Sequence, residues 1–591
     1  MHRYFIPVSL VLLSASALAE TAATPIPTVQ FTGSATFETL RDDTYVPSEN
    51  IELDPSRAST QDALKWDTNF PLINFGYPAG EIGVNLGGRS STDTQVTTMG
   101  VPLNLPQGGG ADFSFFPGFL WKSARITPTV SSAGFTPQAA SGTIEFLPWT
   151  REMLRNQGSA QNNRFTVSAD RDIQSFSLAT RQEDVAILIG TTTGKQIGPA
   201  GEFSYDLLHK PGHDILFHVI ASEQTGDVIN FPATPQEKKI TNRVIPVLES
   251  HQDLGSNWAV ENTLYGDIEE LRLQDPTPGA FNTYTRAEQY GIENAIVHGA
   301  DTLALSARYT LLNNHSSAQD VHEWPLFAAL THDFFPNDSV SVKATVNGTY
   351  VRDTGFYPGG KLSTKFSADP RAYPFAELNV IQKMPSLVDR FGVFLDPVYG
   401  NFYGNPNLKP EHVYNAIFGY AYAGNPVHSI TTLKAEYRTQ TQVSETTDAQ
   451  FDSTVINAGN AYLFSAEQEF DYQFSSVFTL NSRTTLTYSK LKDNGYPYPD
   501  LPCMSEGVIF QIKPTRKLSF ESQGKLMGQS TTYQGGDHPA YVLFGQNISW
   551  YPTDRFSFTG GMDNIFDNHA QVVVGFPIEG RIVYLSMQAT F

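Results

Sequence analysis

The sequence predicts an all-β protein, a transmembrane antiparallel β-barrel, and three observations support this class. Charged residues make up only 17% of the 591 residues, whereas soluble domains usually carry about 25%. The mean hydropathy is nevertheless −0.26, which is too polar for a bundle of membrane helices. Several segments alternate apolar and polar residues with a period of two. A barrel explains all three, because its strands turn one face to lipid and the other to an interior.

The carboxy-terminal segment shows this alternation most clearly. One face is apolar and ends on an aromatic residue, and it comprises Val583, Leu585, Met587, Ala589 and Phe591. Mostly polar residues lie between them, so the segment predicts a strand with one lipid-facing side. The terminal Phe591 resembles the signal by which bacterial outer-membrane barrels are recognised by their assembly machinery.

Two upstream segments repeat the pattern, at residues 340–350 and 556–562. Lys343 lies on the polar face of the first, and a lysine in lipid would cost ~2–4 kcal/mol, so this face is expected to line a lumen. Short turns are predicted at residues 336–338 and 552–554, and longer extracellular loops at residues 399–409 and 493–500. Residues 151–591 suffice for 16 to 22 strands, and periodicity does not choose between an open porin and a plugged barrel.

The amino terminus predicts export. A basic residue and an apolar stretch precede the Ala-Leu-Ala site that ends at Ala19, so residues 1–19 are expected to be a signal peptide. Cys503 is the sole cysteine of the sequence, which excludes an intramolecular disulfide and a multi-cysteine zinc site. The net charge of −21 argues against nucleic acid as a partner.

Residues 50–150 have short apolar runs and clustered glycines instead of long alternating strands. Three of their segments, 82–89, 95–104 and 111–117, resemble the plug domain of TonB-dependent outer-membrane receptors. Residues 125–134 and 140–144 resemble the end of that plug. The plug is divergent, because Met99 replaces the acidic residue that the family places before a glycine, and Thr127-Pro128-Thr129 replaces an Arg-Gly pair.

The barrel part carries further motifs of the same family. Residues 404–411 read GNPNLKPE, close to a signature of these receptors, and residues 563–568 read DNIFDN, similar to another. Asn457, Glu467 and Glu469 fit a third motif, and Gly575 to Arg581 fits the element before the last strand. The resemblance therefore favours the plugged alternative with 22 strands: a plug at residues 50–150 inside a barrel at residues 151–591.

The resemblance also implies partners and sites. Residues 20–49 would be an extended periplasmic segment that binds the TonB energy-coupling protein by β-augmentation, and the expected contact strand comprises Thr36, Phe37, Glu38, Thr39 and Leu40. An incidental linker is the alternative reading of that stretch. The expected ligand-facing plug residues are Phe75, Gly76, Tyr77, Pro78, Gln107, Gly108 and Gly109. Lipid and the assembly machinery would be the other partners of a monomeric chain.

The function expected from the resemblance is import of a scarce, bulky nutrient such as a ferric siderophore or cobalamin. Two alternatives remain open, a non-transporting binding or adhesion barrel of the same family and an outer-membrane enzyme. No nucleophile or metalloprotease motif is present, so no catalytic residue and no cofactor are expected. Acidic residues at positions 267–270 suit calcium, but a solvated face is the preferred interpretation.

Overall fold

A computed structural model gives the fold of the chain. It describes residues 44–591 apart from positions 54–56, 58, 61–63, 67–71, 75–81, 85, 87–90, 106–108, 130–139, 156–162, 211, 228–237, 275–281, 315–318, 338, 353, 368, 370, 395–401, 447–452, 493–494, 496, 500, 532–536 and 574–575. Within this described part, no helix is both long enough and apolar enough to cross a bilayer.

The amino-terminal region forms a small sheet of five strands in the order β1-β6-β7-β4-β5. Its strands are β1 (Glu49–Glu52), β4 (Thr94–Thr98), β5 (Val101–Pro102), β6 (Trp121–Thr127) and β7 (Gly142–Pro148). A separate pair consists of β2 (Leu72–Asn74) and β3 (Ile82–Val84), and α1 (Trp149–Arg155) crosses the predicted domain boundary at residue 150. We call residues 44–155 the plug, because their side chains bond to inward-facing residues all around the barrel described next.

Aromatic side chains build the core of the plug. The Trp121 ring lies 5.2 Å from Phe146 and 5.4 Å from Phe116, and Phe113 meets Phe146 edge to face at 5.2 Å. Such pairs add about 0.5–1.5 kcal/mol each to the area they bury. The same apolar cluster continues into barrel residues, including Leu188 and Ile245. Plug and barrel therefore share one hydrophobic core.

The rest of the chain forms one closed antiparallel barrel of 22 spanning strands, which confirms the plugged alternative. The strands are β8 (Asn163–Ala169), β9 (Ile173–Gln182), β10 (Val185–Gly194), β11 (Gln196–Lys210), β12 (His213–Asp227), β13 (Lys238–Gly255), β14 (Trp258–Gln274), β15 (Thr283–His298), β16 (Asp301–Asn314), β18 (Pro325–Asn337), β19 (Val340–Val351), β20 (Gly355–Phe366), β21 (Ala372–Lys383), β24 (Glu411–Ala423), β25 (Val427–Thr439), β28 (Ala461–Gln473), β29 (Phe478–Leu491), β30 (Met504–Thr515), β31 (Leu518–Met527), β34 (Tyr541–Thr553), β35 (Phe556–Asp563) and β38 (Ile582–Thr590). The short strand β17 (Gln319–Glu323) continues the line of β18 along β16.

The last strand closes the barrel on the first. β38 pairs with β8 from Leu585↔Ala169 to Thr590↔Arg164. Beyond it, the backbones of Phe591 and Asn163 exchange two hydrogen bonds of 2.9 and 3.0 Å. Closure matters because lipid offers no hydrogen-bond partner to an open strand edge.

The two ends of the barrel differ in their connections. At one end, turns of two to five residues join the strands, including those at 338–339 and 554–555. At the other end, connections reach 27 residues at positions 384–410, 21 at 440–460 and 18 at 564–581. Because outer-membrane barrels have short periplasmic turns and long extracellular loops, the first end is periplasmic. The two predicted turns lie at the periplasmic end, but the first two residues of each belong to β18 or β34, and the predicted loops 399–409 and 493–500 fall within extracellular connections.

The loops contain further short elements. Loops 384–410 and 440–460 share a four-stranded sheet in the order β22 (Val393–Phe394), β23 (Phe402–Tyr403), β27 (Ser453–Asn457) and β26 (Gln442–Thr446). The first loop also holds α2 (Leu387–Phe391), which begins at a Ser386–Asp389 capping box. Two hairpins complete the set, β32 (Ser530–Thr531) with β33 (Asp537–His538) and β36 (Gln571–Val573) with β37 (Phe576–Pro577).

Side-chain exposure confirms the alternation predicted from the sequence. In β38, Val583 and Leu585 are 56% and 65% exposed on the outer wall, whereas Tyr584 between them is 5% exposed. In β19, Val346 is 72% exposed beside the buried Thr345. The Lys343 ammonium lies 5.3 Å from the ring of the plug residue Tyr45, so its strand face lines the lumen as expected.

We predict that Val346→Arg impairs membrane assembly, because Val346 lies midway along β19 on the lipid side. A charge there should cost ~2–4 kcal/mol. The cost is measured by a urea titration of the protein in bilayers, in which heat-modifiable mobility reports the folded fraction at each urea concentration. Ser339→Arg, in the exposed periplasmic turn before β19, is the matched control and should fold as the parent does; equal behaviour of both variants would contradict the assigned faces.

Candidate functional site: the plug–barrel interface and the extracellular mouth

A buried ionic cluster joins the top of the plug to the barrel wall. Asp93 ends a 3-10 turn, Ser91–Asp93, that leads directly into β4. Its carboxylate accepts from Lys383 Nζ at 2.6 Å and from Arg438 at 2.8 Å. The Lys383 ammonium also donates to Thr92 Oγ1 at 2.9 Å. One plug carboxylate thus holds two barrel cations, which come from the extracellular ends of β21 and β25.

Arg438 extends this cluster to other barrel elements. Its guanidinium bonds to Glu436 at 2.5 Å, to Glu411 at 3.2 Å and to the Tyr498 hydroxyl at 3.2 Å. The side chains of Asp93, Glu411, Glu436 and Arg438 are all 0% exposed. Buried charges persist only when they are paired, so each member of this cluster depends on the others.

The protonation of Asp93 follows from this environment. Burial on its own raises the pKa of a carboxyl group, but the Arg438 and Lys383 cations outweigh it and lower the pKa of Asp93 to about 2. Asp93 is therefore ionised at neutral pH and acts as the negative partner of both cations.

A second contact ties the first part of the plug to the last barrel strands. The Arg57 guanidinium donates to Asp563 at 2.7 Å and to the Tyr584 hydroxyl at 2.8 Å, and it also lies 3.8 Å from the Tyr584 ring centre. The Lys65 ammonium lies 3.5 Å from Glu579 and 3.7 Å from Asp563. This part of the plug is consequently fixed to the extracellular ends of β35 and β38.

A third contact lies on β13, six strands from β38 around the barrel. Asp112 caps the 3-10 turn Phe113–Phe115 by accepting from Ser114 N at 2.9 Å, and its carboxylate pairs with Lys239 of β13. Arg243, further along β13, donates to the carbonyl of Leu103 at 3.0 Å. Its other contacts are to Asp267 at 2.7 Å and Glu269 at 3.8 Å.

Other contacts of the plug lie closer to the periplasm, and they include a buried ion pair of 3.2 Å between Arg151 of α1 and Glu249 of β13. Thr44 donates to Glu377 of β21 at 2.6 Å, and Thr129 bonds to the other oxygen of that carboxylate. Glu49 of β1 pairs with Arg483 of β29, and these side chains are 26% and 17% exposed. The plug is thus held by buried contacts at both levels, and the Glu49–Arg483 pair near the periplasm is partly exposed.

Of the residues predicted to face the ligand, Gly109 lies among the described ones. It adopts φ +72°, and an added Cβ would lie 3.3 Å from the Cβ of Ser386, at the start of α2. Asn104 stabilises this turn, because its side chain donates to Gly109 O at 2.8 Å and to Thr94 O at 2.8 Å. The Gly109 turn therefore lies against Ser386 of the extracellular loop 384–410, and its contact with a ligand stays a prediction.

The other predicted site residues lie outside the described residues. These are Thr36, Phe37, Glu38, Thr39, Leu40, Phe75, Gly76, Tyr77, Pro78, Gln107 and Gly108, together with the predicted signal peptide. Phe591 is described and is 57% exposed at the closing strand, where a recognition residue would be accessible. Its role in assembly stays a prediction.

Sequence reasoning missed the ionic partners as functional residues. Glu411 and Asp563 lie inside the two barrel motifs, and Asp112 lies inside a plug motif, so the motifs carried a usable signal for these three. No motif pointed to Asp93, Lys383 or Arg438. The acids considered for calcium do not share one site, because Asp267 and Glu269 face Arg243 in the lumen whereas Glu270 pairs with Arg272 and Arg286 on the outer wall.

The divergent plug turn has a clear local geometry. Met99 and Gly100 join β4 to β5 with φ of 52° and 79°, both in the left-handed region. A two-residue hairpin with these angles favours Asn-Gly or Asp-Gly. Met99 instead buries its side chain, at 2% exposure, in the plug core. The replaced acid has thus become a packing residue.

Comparison with known proteins agrees with this architecture. Residues 394–573 match the model of the outer membrane protein beta-barrel family. The iron-regulated outer membrane virulence protein of Vibrio cholerae is 22% identical over 216 residues. That alignment covers 32% of this chain and 33% of the relative.

Solved structures match over nearly the whole chain. The siderophore receptor PirA from Acinetobacter baumannii has a TM-score of 0.76 at 13% identity, covering 94% of this chain and 100% of that one. The ferric enterobactin receptor PfeA bound to BCV-L6 has a TM-score of 0.75 at 12% identity, with 93% and 100% covered. The copper transporter OprC has a TM-score of 0.76 at 12% identity, with 92% and 98% covered.

We predict that Asp93→Asn weakens the attachment of the plug without unfolding the barrel. The amide removes the carboxylate partner of the buried Lys383 and one of the three carboxylates that bond to Arg438, and loss of a buried charge partner typically costs about 3–5 kcal/mol. Protease sensitivity of the plug, with heat-modifiable mobility reporting the barrel, measures the effect. Asp554→Asn, in an exposed periplasmic turn, should leave the plug protected; protection of the Asp93 variant would contradict the role of the cluster.

The pH dependence of plug protection should follow the same carboxylate. Because the folded pKa of Asp93, about 2, lies below its ordinary value of 3.8, its stabilisation is complete above pH 3.8 and is lost as the pH falls towards 2. Protease protection in the parent should fall over this window. In the Asp93→Asn variant this component should be missing, and identical pH profiles would refute it.

The described architecture, the matched barrel model and the structural likenesses agree on one conclusion: the chain has the fold of the TonB-dependent outer-membrane receptors, a plug held inside a barrel, and it is a protein of the outer membrane.

Proposed function

We propose that this chain is a TonB-dependent receptor that imports a bulky metal chelate of the siderophore type. The observation that carries this proposal is a plug held by buried ion pairs across the lumen of a 22-strand barrel. A barrel of that size would otherwise be a wide aqueous channel. Blocking it and then opening it on demand suits the uptake of a scarce, large ligand.

The tight packing of the plug against the barrel wall supports the proposed energy coupling. Phe115 lies beside the barrel cations Lys239 and Arg243, and Phe119 packs against Gly190 of β10, where an added Cβ would lie 2.6 Å from the ring. Exposing two phenylalanines alone would cost ~3–6 kcal/mol, so a released plug would be rare at equilibrium. An external pull on the plug is therefore the expected trigger, and TonB is the partner that we propose for residues 20–49.

An exposed aromatic residue at the mouth of the barrel and the names of similar proteins support the proposed ligand class. Tyr403, on the extracellular loop 384–410, is 43% exposed. Aromatic faces suit a large, partly planar ligand. PirA and PfeA are named as receptors for siderophores or ferric enterobactin, so a ferric siderophore is favoured over cobalamin. Two plug loops, at residues 75–78 and 107–109, remain the proposed ligand-facing parts of the plug.

A non-transporting binding barrel is the alternative, and the amino-terminal segment separates the two. Removing residues 20–43, which precede the plug, should abolish uptake of an iron-loaded siderophore while leaving its binding to whole cells unchanged, because binding needs only the extracellular face. Iron-55 uptake and binding in a deletion strain, tested with a panel of ferric siderophores, measure both quantities. Unchanged uptake would refute energy coupling, and absence of binding to every chelate would refute the ligand class.

A pair of proline variants sharpens this test. Phe37→Pro removes a main-chain donor from the proposed contact strand, so β-augmentation and uptake should fail. Thr28→Pro, in the same segment but outside that strand, should transport like the parent. If both variants transport normally, the TonB contact lies elsewhere in the chain.

A further inference from the structure

Three side chains of metal-binding type meet at the periplasmic end of the barrel, away from the extracellular mouth. His428 lies at the start of β25, and Glu469 and Asp471 lie near the end of the neighbouring strand β28. All three face the lumen, and one ligand atom from each lies within 4.8 Å of the others. The His428 Nδ1 atom is 3.3 Å from Asp471 Oδ2.

Neighbouring side chains orient both carboxylates. Asn481 donates to Asp471 Oδ1 at 2.7 Å, and Arg483 donates to Glu469 Oε2 at 2.6 Å. Each bond occupies one oxygen and leaves the second oxygen of the carboxylate for a ligand. Outer donors of this kind are what ligating carboxylates usually have in metal sites.

The histidine ring is also placed for coordination. Its Nδ1 atom is buried and contacts Asp471 Oδ2 at 3.3 Å, so a metal ion would bind between these two atoms in place of their direct contact. In a tetrahedral zinc site with bonds of ~2.0–2.1 Å, ligand atoms lie ~3.3 Å apart. The His428–Asp471 distance already has this value, and their side chains, 40% and 39% exposed, have room to adjust towards Glu469.

The local charge favours a divalent cation. Glu469, Asp471 and Glu49 contribute three negative charges and Arg483 one positive charge, so the local net charge is −2 when His428 has released its proton to bind a metal ion. Imidazole with two carboxylates is a donor set that suits zinc and other first-row transition ions rather than calcium or magnesium.

We propose that His428, Glu469 and Asp471 bind a zinc-type divalent transition-metal ion at the periplasmic edge of the plug. Water completes the coordination, since three protein ligands leave a position open. The site lies next to the plug, because Arg483 bridges Glu469 to Glu49 in the first plug strand. It is independent of the chelate that the receptor carries, since it uses no residue of the mouth.

The test is zinc binding to the full-length protein, purified in detergent with a histidine-free tag and stripped with EDTA. Titration against a fluorescent zinc chelator should show one equivalent bound. His428→Gln and Asp471→Asn should each weaken binding at least tenfold, and Asn481→Ala should weaken it about 10–100-fold as an outer donor. X-ray absorption of the zinc-loaded protein should show nitrogen and oxygen ligands at ~2.0–2.2 Å.

His332→Gln is the matched control, because His332 also lies at the periplasmic end and pairs with one carboxylate, Asp301, at 2.6 Å. It should bind zinc like the parent. Heat-modifiable mobility verifies that each variant is folded. Because two metal-ligand variants are tested, the experiment remains decisive if one of them does not fold. Absence of stoichiometric binding, or binding that His428→Gln leaves unchanged, would overturn the proposal, and neither result depends on siderophore uptake.

Discussion

The absence of water from the hydrocarbon core is the constraint on which the rest of this structure depends. Every backbone group of the spanning strands must pair with another strand, so the sheet closes from β38 onto β8. Closing as many as 22 strands encloses a lumen too wide for side chains alone to fill. The chain fills it with its own amino-terminal part, and this explains why lumen residues such as Arg243 and Arg438 are charged and yet fully buried.

The plug is fixed to the barrel by buried ion pairs along its length and by a partly exposed pair near the periplasm. Near the extracellular loops, Asp93, Arg57 and Asp112 pair with barrel residues and are almost completely excluded from solvent. Near the periplasm, Glu49 and Arg483 are partly exposed, and the proposed metal ligands lie beside them. The partly exposed Glu49–Arg483 pair lies at the end from which a periplasmic protein would act. The buried ion pairs of Asp93, Arg57 and Asp112 lie under the loops that would contact a ligand.

Divergence in the plug changed residues without changing the architecture. Met99 occupies a left-handed turn position that an acidic residue occupies in the family, and the hydrophobic core has absorbed its side chain. The ionic contacts to the wall are made by other residues of the plug. The plug therefore retains both its sheet and its attachment to the barrel despite the changed motifs, and this is the arrangement that a transporting receptor needs.

The sequence by itself determined the class of the fold, because period-two alternation in β19, β35 and β38 is a local property that each strand shows without its neighbours. It also located the turns at 338–339 and 554–555 to within two residues. Motif resemblance favoured the plug and 22 strands over an open porin. Only the tertiary structure revealed the ionic partners, since Asp93 and Arg438 are 345 residues apart and Arg57 and Asp563 are 506 apart. Such pairs depend on strand register and on where the plug sits in the closed barrel, and no local pattern encodes either.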